Sequence, residues 1–246
     1  METMCSTESE ESVMIVISLY DYTGEAVKPW AKAGYECHCY DIQHDGTKGD
    51  RFPSGGSIHY LHADLYNYKA TGDLCQSYLH KPVVFGMAFP VCTDMAVSGA
   101  AWFEAKRKID PDFQKKAVWH AMLCSSFFSK LRVPFFVENP VSVLSTLWRR
   151  PDHMFNPYEY GGYIPEDEVE HPTWPDYIAP RDAYPKKTCL WVGGGFKMPT
   201  PMPVVVEAGY STQHRKLGGK SMKTKNIRSA TPRGFAQAVF EANKRP

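Results

Sequence analysis

The chain is expected to fold as an α/β domain, with a mostly parallel sheet covered by helices on both faces. Three observations carry this. Apolar runs of strand length recur, at 14–20, 83–89 and 133–137. They are apolar throughout rather than alternating, which is the pattern of strands buried on both faces. Between the second and third runs, Phe113, Ala117, Ala121, Cys124, Phe128 and Leu131 recur at steps of three and four, the period of an amphipathic helix.

The elements follow in order. Residues 14–20 read as the first strand, 21–24 as a turn, and 26–34 as a short helix stopped by Gly34. A second strand spans 36–42. Residues 43–56, rich in Gly, Asp, Pro and Ser, read as loop. A third strand at 57–61 leads to Asp64 and Leu65, 71–80 can be helical, and 83–89 is the fourth strand. Asp110 as N-cap and Pro111 at the first helical position open the long helix. Strand 133–137 comes next. Residues 149–186 are rich in Pro and Tyr, carry the acidic patch Glu166, Asp167 and Glu168, and show no helix or strand period. They read as an ordered insertion with aromatic anchors. A strand returns at 188–192 and ends at Gly193, Gly194 and Gly195. Thr231 as N-cap and Pro232 open a last helix that buries Phe235 and Val239. Trp102 and Phe103 are expected in the core. Residues 1–12 read as a disordered lead-in and 13–246 as one domain.

Composition narrows the class. Hydrophobic content of 43% and charged content of 22% are ordinary for a soluble globule. No run of about 18 apolar residues is present, so no membrane partner is expected. Glu2, Glu8, Glu10 and Glu11 near the start do not suit a secretory signal. The seven cysteines are odd in number and most lie in apolar runs, which suits reduced thiols in the cytoplasm. Cys37-His38-Cys39 with His44 raises the question of zinc, but neighbours on a strand point to opposite faces. A plain buried strand is the expectation, with no metal. Net charge is +1, yet 211–230 holds no acid and six cations: Arg215, Lys216, Lys220, Lys223, Lys225 and Arg228. With Gly218 and Gly219 among them, this reads as a flexible basic loop, either in contact with phosphate or merely solvated.

Ligands of such sheets lie beyond the carboxyl ends of the strands. The turn after Tyr20, Asp41, Asp64, Cys92 and Glu138 all fall there. Cys92 closes Phe89-Pro90-Val91-Cys92-Thr93 after the fourth strand, and Glu138 opens Glu138-Asn139-Pro140 after the fifth. A thiol and a carboxylic acid at neighbouring strand ends suit covalent attack on an electron-poor ring.

In this order the residues resemble the cytosine-5 DNA methyltransferases, and more closely their short, phage-encoded members. Leu19-Tyr20-Asp21-Tyr22-Thr23-Gly24 stands at the cofactor turn, Pro90-Val91-Cys92 at the Pro-Pro-Cys loop, and Glu138-Asn139-Pro140 at the Glu-Asn-Val motif. Tyr184-Pro185-Lys186-Lys187-Thr188 stands at the basic motif and Thr231-Pro232-Arg233 at the Thr-x-Arg motif. The resemblance spans roughly 13–245. It implies a Rossmann-like, S-adenosylmethionine-dependent methyltransferase fold with a reduced target-recognition region in the basic loop of 193–230. It implies Cys92 as nucleophile, Glu138 as acid, and Asn139 ordering the loop through backbone hydrogen bonds. S-adenosylmethionine would meet Tyr20, Tyr22, Thr23, Gly24, Asp41, Ile42, Asp64, Leu65 and Pro90. Duplex DNA with a flipped base would meet Lys186, Lys187, Arg215, Lys220, Lys223, Lys225 and Arg233. A viral origin would put the protein in the host cytoplasm. The chain departs from the pattern at Tyr22, where the family has glycine, and at Val91, where it has a second proline. The same chemistry on a free pyrimidine nucleotide stays open, as does a non-catalytic nucleic-acid-binding protein on this fold. A dehydrogenase is disfavoured by the missing GxGxxG.

Overall fold

The computed structural model describes residues 13–206, 213, 216–218 and 221–245. The segment 1–12, Arg215 and Lys220 lie outside the described residues. Eight strands form one mixed sheet: β1 (Ile15–Leu19), β2 (Glu36–Asp41), β3 (Gly49–Arg51), β4 (Ser57–His62), β5 (Val83–Ala88), β6 (Phe135–Pro140), β7 (His153–Phe155) and β8 (Thr188–Gly193). Their order is β3-β4-β2-β1-β5-β6-β8-β7. Strands β4, β2, β1, β5 and β6 are mutually parallel, while β3, and β8 between β6 and β7, run antiparallel to their neighbours. The chain leaves β1 toward β2 and β4, then returns to β5 and continues outward through β6. A crevice therefore opens between the carboxyl ends of β1 and β5, where the winding reverses.

Seven helices are described: α1 (Lys28–Lys32), α2 (Tyr68–Ser77), α3 (Phe103–Ile109), α4 (Phe113–Leu131), α5 (Leu144–Leu147), α6 (Met222–Ser229) and α7 (Arg233–Asn243). They cover both faces, as two hydrophobic layers show. One face joins Ile15, Ile17 and Leu19 to Val118, Ala121, Cys124 and Phe128 of α4. The other joins Val16 to Trp30 of α1 and to Phe235, Val239 and Phe240 of α7. The alternation of Ile15, Val16 and Ile17 between the layers is why β1 is apolar throughout. Burying each such side chain contributes about 1.5–3 kcal/mol relative to exposure.

Several boundaries differ from expectation for local reasons. Helix α4 starts at Phe113 with Asp112 in the N-cap position, because the Asp110 carboxylate accepts from Asp112 N and closes a turn ahead of the helix. Helix α2 begins earlier than 71, because the Asn67 side chain caps it by accepting from Lys69 N and Ala70 N. Helix α7 is not capped by Thr231. The buried Asp182 carboxylate, from far along the chain, accepts from Gly234 N at 3.0 Å. Part of the loop expected at 43–56 is strand β3, paired along the edge of β4. The insertion contributes β7 and two 3-10 segments, Pro157–Tyr163 and Pro180–Asp182. The basic stretch is not wholly loop: Ser221 Oγ accepts from Thr224 N and starts α6, which buries Ile227. Trp102 is not core but 59% exposed, at the end of the 3-10 segment Val97–Trp102.

Candidate active site at the carboxyl edge of the sheet

The turn after β1 is built around a buried carboxylate. Asp21 accepts from Ser18 Oγ at 2.8 Å, from Gly24 N at 2.8 Å and from Thr23 N at 3.1 Å. Burial pushes its carboxyl above the usual range, and Ser18 Oγ, Gly24 N and the Thr23 hydroxyl, which donates at 3.3 Å, pull it back in part. Tyr20 adopts a left-handed φ of 58° to enter the turn, and its hydroxyl donates to Leu65 O at 3.1 Å. Gly24 has φ 69°, and a Cβ there would lie 2.7 Å from the Tyr60 hydroxyl oxygen. The glycine is thus required by the fold itself. The Tyr22 ring stacks on His44, 5.6 Å between centroids.

The next strand ends present two aspartates. Asp41 is buried, and its Oδ1 accepts from Gln43 N at 2.8 Å. Beside it Ile42 is 56% exposed. Asp64 is exposed at the tip of the β4 connection, where its Oδ1 accepts from Tyr66 N. The Tyr66 ring packs on His120 of α4.

Cys92 lies in the connection after β5, whereas Glu138 and Asn139 lie inside β6, paired with Leu190 and Cys189 of β8, rather than after the strand as expected; the two segments are tied together. Asn139 Nδ2 donates to Pro90 O at 2.8 Å in the interior. Val97 N donates to Val141 O, and Val143 N to Met95 O, each at 3.0 Å. Cys92 is half-buried, whereas Cys37, Cys39, Cys75, Cys124 and Cys189 are buried. Burial pushes the Cys92 thiol up, the Glu138 carboxylate raises it further, and the Lys186 ammonium offsets part of the rise. Burial likewise raises the Glu138 carboxyl, with Lys186 opposing. Cys92, Glu138 and Lys186 therefore form one electrostatic unit. Glu138 Oε1 is buried with no hydrogen-bond partner among the described residues. It faces a cavity lined by Phe89, Phe155, Lys186, Thr188, Pro232 and Phe235, about 10 Å³ in size, room for about one water molecule.

In sequence the chain matches no family model and no curated protein.

The remaining cations divide. Lys186 Nζ donates to Arg228 O at 2.8 Å, which draws α6 toward the cavity wall. Lys187 and Lys225 are exposed, and Lys223 lies over the Tyr177 ring. Arg233 is engaged elsewhere: its guanidinium donates to Val169 O in the insertion, beside Asp182 and His171. The structure thus does not bring Arg233 to the cavity with Lys186.

The donor set fits S-adenosylmethionine unevenly. The Asp41 carboxylate suits a ribose diol, exposed Ile42 suits a purine face, and Asp64 suits an exocyclic amine. Thr23 N and Gly24 N, however, are spent on Asp21. The adenosine half would find partners here, while the turn would offer those two amides to no ligand carboxylate. Sequence reasoning missed the Ser18–Asp21 latch. Its only trace was a lone serine inside a buried apolar run.

Proposed function

We propose that this protein is a Rossmann-like, S-adenosylmethionine-dependent methyltransferase acting on carbon-5 of cytosine in DNA. The observation that carries the reading is the Asn139 hydrogen bond to Pro90 O, which joins the segment bearing Cys92 to the strand bearing Glu138; the effect of Glu138 and Lys186 on the Cys92 thiol supports it. The strand order supports it as well: β4-β2-β1-β5-β6 is the winding of nucleotide-binding doubly wound sheets.

When bound, S-adenosylmethionine supplies an electrophilic methyl group, and Asp41, Ile42 and Asp64 would hold its adenosine. The chain's own residues prepare the ring. Partly exposed Cys92 gives up its proton to solvent, and the thiolate sulfur bonds to carbon-6 of the cytosine. The electron pair displaced toward N3 is met by a proton from Glu138, whose retention on the carboxyl burial favours and Lys186 opposes. A nitrogen donor there would relieve the unpartnered Oε1. After transfer, the carbon-5 proton passes to water, its bonding pair restores the carbon-5–carbon-6 double bond, sulfur leaves as thiolate and the N3 proton returns to Glu138. A pyrimidine ring does not fit a cavity sized for one water. Entry requires the wall of Lys186, Thr231 and Pro232 to withdraw, and exposed Lys187, Lys223 and Lys225 would then meet phosphate.

The test is label transfer from tritiated S-adenosylmethionine to unmodified DNA, and in parallel to deoxycytidine nucleotides. Label in DNA that Cys92→Ala abolishes is the expected result. Label in nucleotides alone would move the substrate to the free base, and label in neither would end the enzymatic reading. DNA containing 5-fluorocytosine should trap an adduct at Cys92, since fluorine cannot leave as a proton does.

A further inference from the structure

We propose that Glu36, His38 and His59 form a binding site for a divalent metal ion of the zinc type, at the end of the sheet opposite Cys92. Glu36 and His38 stand two apart on β2 and share a face. His59 on β4 is the register partner of His38. The three ligand atoms converge within 4.8 Å of one another. His38 Nε2 lies 2.6 Å and His59 Nε2 3.9 Å from Glu36 Oε1. Bonds of about 2.0–2.1 Å in a tetrahedron separate ligand atoms by about 3.3 Å. One contact must open and the other close by roughly 0.6 Å, within the rotamer freedom of two partly exposed side chains. Two imidazoles and a carboxylate are a zinc ligand set that leaves a fourth position to water.

The site also has an outer layer. His38 Nδ1 is hydrogen-bonded to the Tyr78 hydroxyl, which in turn meets the Tyr40 hydroxyl at 2.6 Å. That buried pair fixes the ring so that Nε2 faces the cluster, as outer partners of metal-bound histidines do. Ser57 Oγ sits 3.0 Å from His59 Nε2 and must release it to a metal. Lys81 is the nearby cation, held over the Tyr78 ring. Cys37 and Cys39, the candidates that the local sequence suggests, point to the opposite face: Cys37 Sγ lies 3.7 Å from Val27 O and Cys39 Sγ 3.9 Å from Asp21 Oδ2. Glu36 opens β2 whereas Asp41 closes it, a separation of roughly 16 Å along the strand. The ion would staple β2 to β4 and, through His38 and Tyr78, to the end of α2.

The full chain, stripped with a chelator, is titrated with Zn²⁺ by calorimetry, and Co²⁺ is followed by absorption. Expected are one saturable equivalent at micromolar affinity or tighter, Co²⁺ bands without a thiolate charge-transfer band, and a higher melting temperature with metal. Glu36→Gln and His59→Ala should each weaken binding at least about tenfold, and Tyr78→Phe by about tenfold to a hundredfold. Glu36 and His59 are both partly exposed, so metal-free melting temperatures of the two variants should match the parent. Absence of saturable binding, a thiolate band, or unchanged affinity in both variants would overturn the site.

Discussion

Replacing Asn139 tests whether the two halves of the candidate site are held by one hydrogen bond. Asn139 is 1% exposed and donates to Pro90 O across 49 residues of sequence. In Asn139→Ala the Pro90 carbonyl loses its donor in the interior, at a cost of about 1–3 kcal/mol. A domain of this size converts each kcal/mol into about 2–4 °C, so the melting temperature should fall by about 2–12 °C. Asn139→Asp is the sharper probe, because it keeps the shape. At pH 8 a carboxylate would face the carbonyl oxygen with no proton between them. At pH 5 a protonated carboxyl can donate in its place. Confinement raises the folded pKa of this new acid above its unfolded value, so its stabilisation is present at low pH and lost as pH rises. The Asp variant should therefore be at least as unstable as the Ala variant at pH 8 and recover at pH 5. Unfolding curves give the stability. Iodoacetamide labelling read by peptide mass gives the loop, with Cys92 labelled faster and fully buried Cys37 and Cys39 still protected. A variant that melts within about 1 °C of the parent, with Cys92 labelled at the parent rate, would refute the joint.

Three further outcomes follow from the same structure. The Cys92 thiol is raised by the Glu138 charge and lowered by Lys186; at pH 8 Glu138→Gln should speed its alkylation about threefold to tenfold and Lys186→Ala slow it by a like factor, and equal rates would uncouple the three groups. Asp182 is pushed up to about 6 and His171 held down to about 4, both chiefly by burial. Stabilisation from Asp182 is lost as pH rises through 6 and that from His171 as pH falls through 4, so the two oppose between about pH 4 and 6.5, each on the order of 3 kcal/mol. Asp182→Asn should lose stability on acidification faster than the parent and His171→Asn more slowly; parallel curves would reject the assignment. In Gly86→Ala the new Cβ would lie 2.2 Å from Phe128 Cδ1, on a ring with no exposure. Overpacking of this kind costs about 1–3 kcal/mol, which denaturant midpoints would show, and an unchanged midpoint would mean that α4 can shift off β5.

What the sequence made legible was whatever repeats over short distances. The runs at 14–20 and 83–89 contain all of β1 and β5, because burial on both faces leaves no room for polar positions, whereas 133–137 holds only the first half of β6, which continues through Glu138 and Asn139. The convergence of Asp41, Asp64, Cys92 and Glu138 on one edge followed from strand polarity. Long-range capping was not legible. Nothing near Thr231 shows that Asp182 reaches Gly234 N, and nothing near Pro90 shows that Asn139 reaches its carbonyl. Edge strand β3 was hidden because only one side of it is paired, so Gly49, Asp50 and Arg51 need no apolar pattern. Arg233 illustrates the other direction. A motif fixes which residue is present, but the insertion decides what its guanidinium meets.

The charge pattern around Cys92 explains how a thiol can be both ready and quiet. Burial disfavours the thiolate and the ionised Glu138 alike, and each anion raises the other's cost. Burial thus shifts both groups toward their neutral forms, with Lys186 as the cation felt by both. In the proposed reaction a ring entering between them would change the balance, because its N3 would take up the Glu138 proton as thiolate sulfur adds to carbon-6. The charge would pass from sulfur to the Glu138 carboxylate, which Lys186 offsets, so that the two would not be anionic together. That coupling would make the acid a condition for the nucleophile rather than a helper to it. On this view Glu138→Asp, which retains the proton but shortens the reach, should form the 5-fluorocytosine adduct more slowly than the parent while alkylating normally. Glu138→Gln should alkylate faster yet form no adduct. If both substitutions moved alkylation and adduct formation by the same factor, Glu138 would act on Cys92 through its charge alone and not through its proton.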